Sequence, residues 1–304
     1  MKIGIVGAGI IGSTTAFALL LKGLCREIVL IDQDIQKAQA HMVDLQATSP
    51  LSHNASVEVG NYADLKDADL VVVTAGIDQG QHSRSELLSQ NSFILEDILP
   101  KLSGNASSPI VLATQPTEVM TGWAAQLLPS RQIIGLGTLL ETARLKSSLS
   151  SRTGISPNHI EAYVIGESGP SAVVAWSQVR VGGFAVADYF QSQGWEWSAA
   201  VRQDIENEVS RSYNQVVEHK GAISFAVGAG LAQIIASLFS DQGHILTVCT
   251  AVDGAAISRP TVLSNGKAQQ TLNIALNEQE SHKMNLNLQS IQSLSALRQQ
   301  VTRN

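Results

Sequence analysis

The sequence predicts an α/β protein whose first half is a doubly wound parallel sheet. Short, apolar, β-branched runs alternate there with amphipathic helical patterns. None of the runs alternates apolar with polar positions, and such strands are buried on both faces, as in a parallel sheet covered by helices. A glycine-rich turn follows the first run, which is the usual place of a dinucleotide-binding turn. The repeated strand–helix–strand pattern then predicts right-handed crossovers.

Five strands and three helices are predicted in the first half. The strands are 2–8, 27–32, 70–76, 109–114 and 133–137, and the helices are 10–22, 36–47 and 85–103. The second half is predicted to contain helices at 141–153, 196–219 and 276–302, and strands near 159–165, 173–182 and 245–251. Ser264-Asn265-Gly266 predicts a tight hairpin turn, because Asn and Gly accept positive φ. No linker separates the halves, so we expect two domains with a cleft between them.

The composition argues against several classes of protein. The 304 residues are 44% hydrophobic, which is enough for two medium-sized cores. The net charge is −6 without any run of Lys or Arg, so we expect neither nucleic acid nor a membrane surface as a partner. The apolar N-terminal stretch is interrupted by glycines and resembles neither a membrane span nor a signal peptide. Cys25 and Cys249 match no metal spacing, so we expect reduced thiols, a cytoplasmic location and no metal.

Gly7-Ala8-Gly9-Ile10-Ile11-Gly12 is the predicted phosphate-binding turn. Gly7 allows the tight turn, Gly9 lets a diphosphate approach the backbone, and Gly12 lets the helix pack on the strand. The first N–H groups of the helix then face the phosphates. Asp32 ends the second strand, where a carboxylate binds ribose hydroxyls and repels a 2′-phosphate. The pattern predicts a Rossmann-type domain that binds NAD; a turn that only packs is the alternative, and Asp34 is the less favoured ribose ligand.

Nine segments in order resemble the lactate/malate dehydrogenase family over nearly the whole chain. They read "GAGIIG", "LIDQD", "HMVDLQ", "NYADLKDADLVVVTAG", "QNSFILEDILPKL", "ATQPTEVMTGWAAQLL", "IGLGTLLETARLKSSLS", "VIGESGP" and "SNGKAQQTLNIALNEQE". The resemblance implies an NAD-binding Rossmann domain over 1–139 and an α+β substrate domain over 140–304. It also implies a homodimer or homotetramer. The cofactor-binding residues it implies are Gly7, Gly9, Ile10, Ile11, Gly12, Asp32, Thr74, Ala75, Gly76 and Thr114.

Three positions depart from the catalytic pattern that the resemblance implies. Ser168, in Gly166-Glu167-Ser168-Gly169, replaces the histidine that exchanges a proton with the substrate oxygen. Glu141 replaces the aspartate that orients this histidine, and Gln115 replaces an asparagine that bonds the substrate. A serine hydroxyl is too weak an acid or base to replace imidazole near pH 7. Because the three departures fall at positions that face each other, we interpret them as coordinated and not accidental.

Other positions that bind substrate in the family are retained or changed more mildly. Arg144 matches the arginine that clamps the substrate carboxylate, and Arg84 matches the loop arginine that polarises its carbonyl. The alternatives are a structural ion pair for Arg144 and a solvated charge for Arg84. Gln79 falls near the residue that sets substrate size and charge. Ile223 stands where the family has a small residue or threonine, which would narrow the pocket; His82 is a weaker candidate acid.

The leading interpretation is an NAD-dependent oxidoreductase that transfers a hydride between nicotinamide and a small 2-oxo or 2-hydroxy carboxylate. Glu141 would then serve as acid and base, with Ser168 or a water relaying the proton. Alternatively, an imine or iminium 2-carboxylate already carries its proton and needs no imidazole. The competing interpretation is a catalytically inactive NAD-binding pseudoenzyme that acts as a sensor or interaction partner. The two retained arginines favour the enzyme, because a pure NAD binder needs neither.

Overall fold

The computed structural model describes residues 1–77, 82–104, 108–252 and 255–301. The first half contains β1 (Lys2–Val6), α1 (Ile10–Leu21), β2 (Glu27–Ile31), α2 (Ile35–Thr48), β3 (Ser56–Val59), β4 (Leu70–Val73), α3 (Arg84–Lys101), β5 (Ile110–Leu112), α4 (Thr117–Leu127) and β6 (Ile133–Gly135). The second half contains α5 (Leu139–Thr153), β7 (Ile160–Glu161), β8 (Val164–Ile165), β9 (Val173–Val174), β10 (Arg180–Val181), β11 (Phe184–Ala185), α6 (Val186–Ser192), α7 (Ala199–Lys220), α8 (Ser224–Leu238), β12 (His244–Val252), β13 (Ala255–Ser264), β14 (Lys267–Thr271) and α9 (Glu278–Val301).

Six parallel strands form the first part of the main sheet, in the order β3-β2-β1-β4-β5-β6. The strand order reverses between β1 and β4, as in a doubly wound fold, and ligands bind such folds beyond the carboxyl ends of the strands at this point. The predicted Rossmann-type parallel sheet is thus confirmed. β3 lies outside the predicted strands because it is an edge strand with exposed and buried positions in alternation, not an apolar run.

The last three strands of the chain extend the same sheet. β12 pairs antiparallel with β6, and β13 and β14 follow it, so nine strands run continuously from one half of the chain into the other. The predicted hairpin turn joins β13 to β14, and both of its central residues have positive φ, 51° at Asn265 and 75° at Gly266. The second half adds two small sheets, β11-β10-β7 and β8-β9.

Both faces of the main sheet are covered, which explains why the predicted strands are apolar at every position. In β4, Leu70 and Val72 pack with α1 and α8 on one face, while Val71 and Val73 pack with α3, α4 and α9 on the other. A third buried cluster lies between α5, α7 and the small sheets. No helix in the described part of the chain has the length and apolar character needed to cross a membrane.

The predicted helices are confirmed to within a few residues, but α4, α6 and α8 lie outside them. Every residue from Thr117 to Thr121 is buried in α4. Only Gln126 and Leu127, in the last turn of α4, are exposed, so most of this helix lacks the exposed polar face that marks a surface helix. This helix carries a residue of the candidate site.

Candidate functional site

The glycine turn between β1 and α1 has the backbone geometry that phosphate binding requires. Gly7 has φ +100°, and a Cβ there would lie 2.5 Å from the backbone nitrogen of Ala75. A Cβ on Gly12 would overlap the carbonyl oxygen of Gly7, so Gly12 keeps α1 close to β1. A Cβ on Gly9 would meet nothing within 4 Å, which leaves this backbone open to a ligand. The backbone around the three glycines is compatible with the three predicted roles.

The start of α1 and the end of β2 fit the other parts of NAD. No side chain caps the N-terminus of α1, where Gly9 is the capping residue, so its first N–H groups remain for phosphate. Asp32 accepts hydrogen bonds from the N–H groups of Ala8 (2.7 Å) and Asp34 (2.9 Å), which fixes its carboxylate beside the glycine turn. Asp34 is exposed and caps α2 by accepting the N–H of Lys37. The geometry favours Asp32 as the ribose ligand.

A cavity of about 990 Å³, including its open mouth, lies where the carboxyl ends of β1, β4, β5 and β6 meet the second half of the chain. Eleven of the residues singled out in the sequence line it, namely Gly9, Ile10, Ile11, Thr74, Gly76, Thr114, Gln115, Glu141, Arg144, Ser168 and Ile223. The cofactor turn and the altered catalytic positions therefore face a single space.

Ser168 and Glu141 are hydrogen-bonded to each other. The Ser168 hydroxyl donates to Oε1 of Glu141 at 2.8 Å, and the N–H of Gly169 donates to the same oxygen at 3.1 Å. Glu141 is only 6% exposed and comes from the first turn of α5, whereas Ser168 lies in the turn after β8. The two altered positions thus form one unit, as the resemblance implies for the histidine and its orienting carboxylate.

The turn that carries Ser168 is held by bonds to distant parts of the chain. Gly166, with φ +93°, exchanges two backbone hydrogen bonds with Ser258 of β13, at 2.9 and 3.0 Å. The N–H of the buried Glu167 donates to Oδ1 of Asn287 in α9 at 2.6 Å. These bonds fix the direction in which Ser168 points.

Glu118, in the first turn of α4, is the site residue that the sequence interpretation missed. Its Oε1 accepts the N–H of Ser168 at 3.1 Å and the hydroxyl of Ser258 at 2.8 Å. Burial raises the pKa of this carboxyl to about 7, and the charge of Glu141 acts in the same direction. The only signal in the sequence is an acid in an otherwise apolar stretch, two residues after Gln115-Pro116.

Arg84 does not line the cavity as the resemblance implies. The Arg84 guanidinium, at the start of α3, forms an ion pair with the buried carboxylate of Glu167 instead of facing the cavity. Gln79 lies outside the described residues. His82 is exposed, which agrees with its low rank as a candidate acid. The glycine turn is shaped by close contacts of Gly7 with Ala75 and of Gly12 with Gly7, and Asp32 lies beside this turn.

The substrate end of the cavity is formed by α5, β5 and the start of α8. Arg144 is half-buried there and also borders a second cavity of about 670 Å³, including its open mouth, which it shares with Glu141. Oε1 of Gln115 accepts the N–H of Thr117 at 3.3 Å, which leaves the amide nitrogen of Gln115 as its donor. Ile223 adds an apolar wall, as predicted.

Comparison with known proteins gives matches over nearly the whole chain. Residues 1–135 match the lactate/malate dehydrogenase NAD-binding domain, and residues 138–301 match the α/β C-terminal domain of the same family. An L-lactate dehydrogenase of Deinococcus radiodurans is 37% identical over 288 residues, covering 93% of this chain and 95% of the relative. One of Thermus aquaticus is 38% identical over 290 residues, covering 92% and 94%.

Solved structures of lactate dehydrogenases have the same fold as this chain. A lactate dehydrogenase from a deep-sea metagenome library of the Medee basin superposes with a TM-score of 0.93 at 29% identity, covering 98% of both chains. A minor L-lactate dehydrogenase of Enterococcus mundtii gives a TM-score of 0.92 at 24% identity, covering 97% of this chain and 98% of that one, and supports the fold alone.

Proposed function

Because the chain belongs to the lactate/malate dehydrogenase family, we propose that it transfers a hydride between NAD and C2 of a small carboxylate. Bound NAD supplies the hydride chemistry, and the residues of the chain bind and orient both reactants. In this proposal residues 1–139 hold the cofactor and residues 140–304 hold most of the substrate. The observation that carries the proposal is the single cavity that contains Gly9, Ser168, Glu141 and Arg144.

Arg144 is proposed to bind the substrate carboxylate. A guanidinium offers a planar pair of donors that matches a carboxylate, and such bidentate contacts are stronger and more directional than a point charge. Gln115 and Ile223 limit the space next to it. Glu141 and Ser168 are proposed to face the heteroatom on C2, because they occupy the position at which the family pattern places its proton donor.

Oxidation of NADH followed at 340 nm tests the proposal with a panel of 2-oxo acids and imines of 2-oxo acids. We expect turnover of at least one class, and we expect Arg144→Lys to lower kcat/KM by about 10²-fold because the bidentate contact is lost. Arg211→Lys, at an exposed position of α7, is the matched control and should behave as the wild type. Tight NADH binding without turnover of any substrate would support the pseudoenzyme instead.

We also propose that the chain forms a homo-oligomer through α1, α2 and α8. These helices expose large apolar side chains, with Leu21 53%, Val43 62% and Phe225 72% exposed. Apolar side chains exposed together on neighbouring helices are typical of protein–protein contact surfaces.

A further inference from the structure

We infer that the substrate reduced at this site is the protonated imine of a 2-oxo acid, and that the product is the corresponding 2-amino acid. The inference rests on the proposed hydride transfer and on binding of the substrate carboxylate by Arg144. It concerns the atom on C2: a nitrogen that carries a proton and a positive charge, in place of a carbonyl oxygen.

The hydrogen-bond donors of the Ser168 turn are already used within the protein. The Ser168 hydroxyl donates to Glu141, the N–H of Gly169 donates to the same carboxylate oxygen, and the N–H of Ser168 donates to Glu118. The turn and Glu141 therefore present oxygen lone pairs to the cavity. A carbonyl oxygen is itself an acceptor and meets no free donor at this turn, which leaves it the amide nitrogen of Gln115 elsewhere in the lining, whereas an iminium N–H is a donor and meets acceptors at the turn itself.

The charges around the cavity favour the same class of substrate. Of the described residues that line the cavity, only Arg144 is cationic and none is a histidine. Arg84 is held by Glu167 outside this lining. Reduction of a carbonyl builds negative charge on oxygen, which needs donors or cations in front of it. A carboxylate at that position stabilises a positively charged nitrogen instead.

The chemistry of an iminium needs no proton from the protein. C2 gains a hydride, the π-electron pair of the C=N bond becomes the lone pair of nitrogen, and the nitrogen keeps its proton. The hydride and its two electrons come from reduced nicotinamide, which is released as NAD⁺, and the product amine takes a proton from solvent. A 2-oxo acid would need one proton for its oxygen, and Ser168 cannot supply it. In the reverse direction the ammonium of the amino acid must lose a proton, and Glu141 lies at the position to accept it.

The second cavity provides space next to the nitrogen. It borders Glu141 and Arg144, contains no residue of the glycine turn in its lining, and is lined further by Gly169, Pro170 and Gln203. A carbonyl oxygen carries no substituent and needs no room on that side. An imine nitrogen can carry an alkyl group or belong to a ring, so secondary and cyclic imines are included in the inference.

The first experiment compares substrates that carry either oxygen or nitrogen on C2. NADH oxidation is measured with pyruvate alone, with pyruvate and methylamine, and with the cyclic imine Δ1-piperideine-2-carboxylate. We expect kcat/KM for the imines to exceed that for pyruvate by at least about 10²-fold, the usual lower value of a missing acid catalyst. Equal or faster turnover of pyruvate would overturn the inference and leave the proposed function standing. No turnover of either class would overturn both.

The second experiment measures binding instead of activity. Titration calorimetry of the NAD⁺ complex with N-methyl-L-alanine and with L-lactate compares an ammonium with a hydroxyl on one skeleton. We expect the amino acid to bind at least about tenfold more tightly, and we expect Glu141→Gln to remove this preference while NADH binding changes little. A preference for lactate in the wild type, or a preference for the amino acid that survives in Glu141→Gln, would contradict the inference.

Discussion

At position 168 a hydroxyl that donates to a carboxylate replaces the imidazole of the family pattern. The replacement turns a proton donor into a pair of acceptors, because the single proton of Ser168 lies on the bond to Glu141. The extra methylene of Glu141, relative to aspartate, lets the carboxylate reach the shorter side chain of serine. The glutamate at 141 therefore complements the serine at 168. The site differs from the family pattern in residue type and also in presenting hydrogen-bond acceptors where the family presents a donor.

Restoring the family residues is expected to restore the family polarity. In Ser168→His with Glu141→Asp, the carboxylate can orient an imidazole that donates to the cavity. We expect kcat/KM for 2-oxo acids to rise by about 10²-fold over the wild type, and the preference for imines to fall. Initial rates at 340 nm with pyruvate and with pyruvate plus methylamine measure both. Glu141→Asp alone is the control and should show no gain with pyruvate.

Glu118 is expected to make the stability of the protein depend on pH. Burial raises the pKa of its carboxyl from 4.5 to about 7, so the folded state retains a proton that the unfolded state has released. This contribution is complete below about pH 4.5 and is lost as the pH rises through about 7. Glu118→Gln cannot ionise, and its free energy of unfolding relative to the wild type should increase by about 3 kcal/mol between pH 4 and pH 9.

Denaturant unfolding of both proteins over this pH range measures the difference. Glu58→Gln, at an exposed position of β3, is the control and should follow the wild type. A Glu118→Gln variant that keeps the pH dependence of the wild type would show that Glu118 stays ionised in the folded protein.

Sequence reasoning found the residues that a local motif marks and missed those that act across the fold. Ser168, Glu141, Arg144 and Gln115 each belong to a short segment whose order and spacing match the family. Glu118 accepts a hydrogen bond from the N–H of Ser168, 50 positions away, and no local sequence pattern predicts that bond. Its importance comes from burial, which depends on the packing of α4 against β13 and is not visible in the residues next to it.

At the scale of elements, strands and helices were predicted correctly where their burial leaves a simple pattern of apolar and polar residues. Strands covered on both faces were recognised from unbroken apolar runs, and helices covered on one face from their amphipathic period. β3 has one open edge and alternates, α4 exposes only the two residues of its last turn, and α8 is largely buried; none of the three was predicted. The three C-terminal strands were expected within a separate domain, whereas β12 in fact joins β6; a pairing between distant strands carries no signal in a single sequence.

The packing of α1 on β1 can be tested separately from phosphate binding. Gly12→Ala places a methyl group on the carbonyl oxygen of Gly7, and we expect a loss of about 1–3 kcal/mol of stability because the helix must move away. Gly9→Ala meets no protein atom, so its stability should equal that of the wild type while its affinity for NADH falls. Thermal unfolding and NADH fluorescence titration give the two readouts. Equal destabilisation by both variants would contradict these separate roles.

At the scale of the whole molecule, the exposed apolar residues of α1, α2 and α8 predict the state of assembly. We expect a mass in solution of at least two chains by light scattering after size-exclusion chromatography. Val43→Asp with Phe225→Asp should shift the protein toward the monomer, since burying two carboxylates in an apolar contact is costly. Phe184→Asp, at a 64% exposed position of β11, is the control. A monomeric wild type would refute the proposed assembly.

The pairing of β6 with β12 also limits how reactants can enter. Two domains joined by a flexible linker can open about a hinge. Here the backbone hydrogen bonds of a nine-stranded sheet join the first half of the chain to the second. Such a sheet does not bend about one line without breaking its ladder. The pairing of β6 with β12 therefore ties the strands beneath the cavity into one sheet, and we expect reactants to enter at the mouth of the cavity without a hinge between these strands.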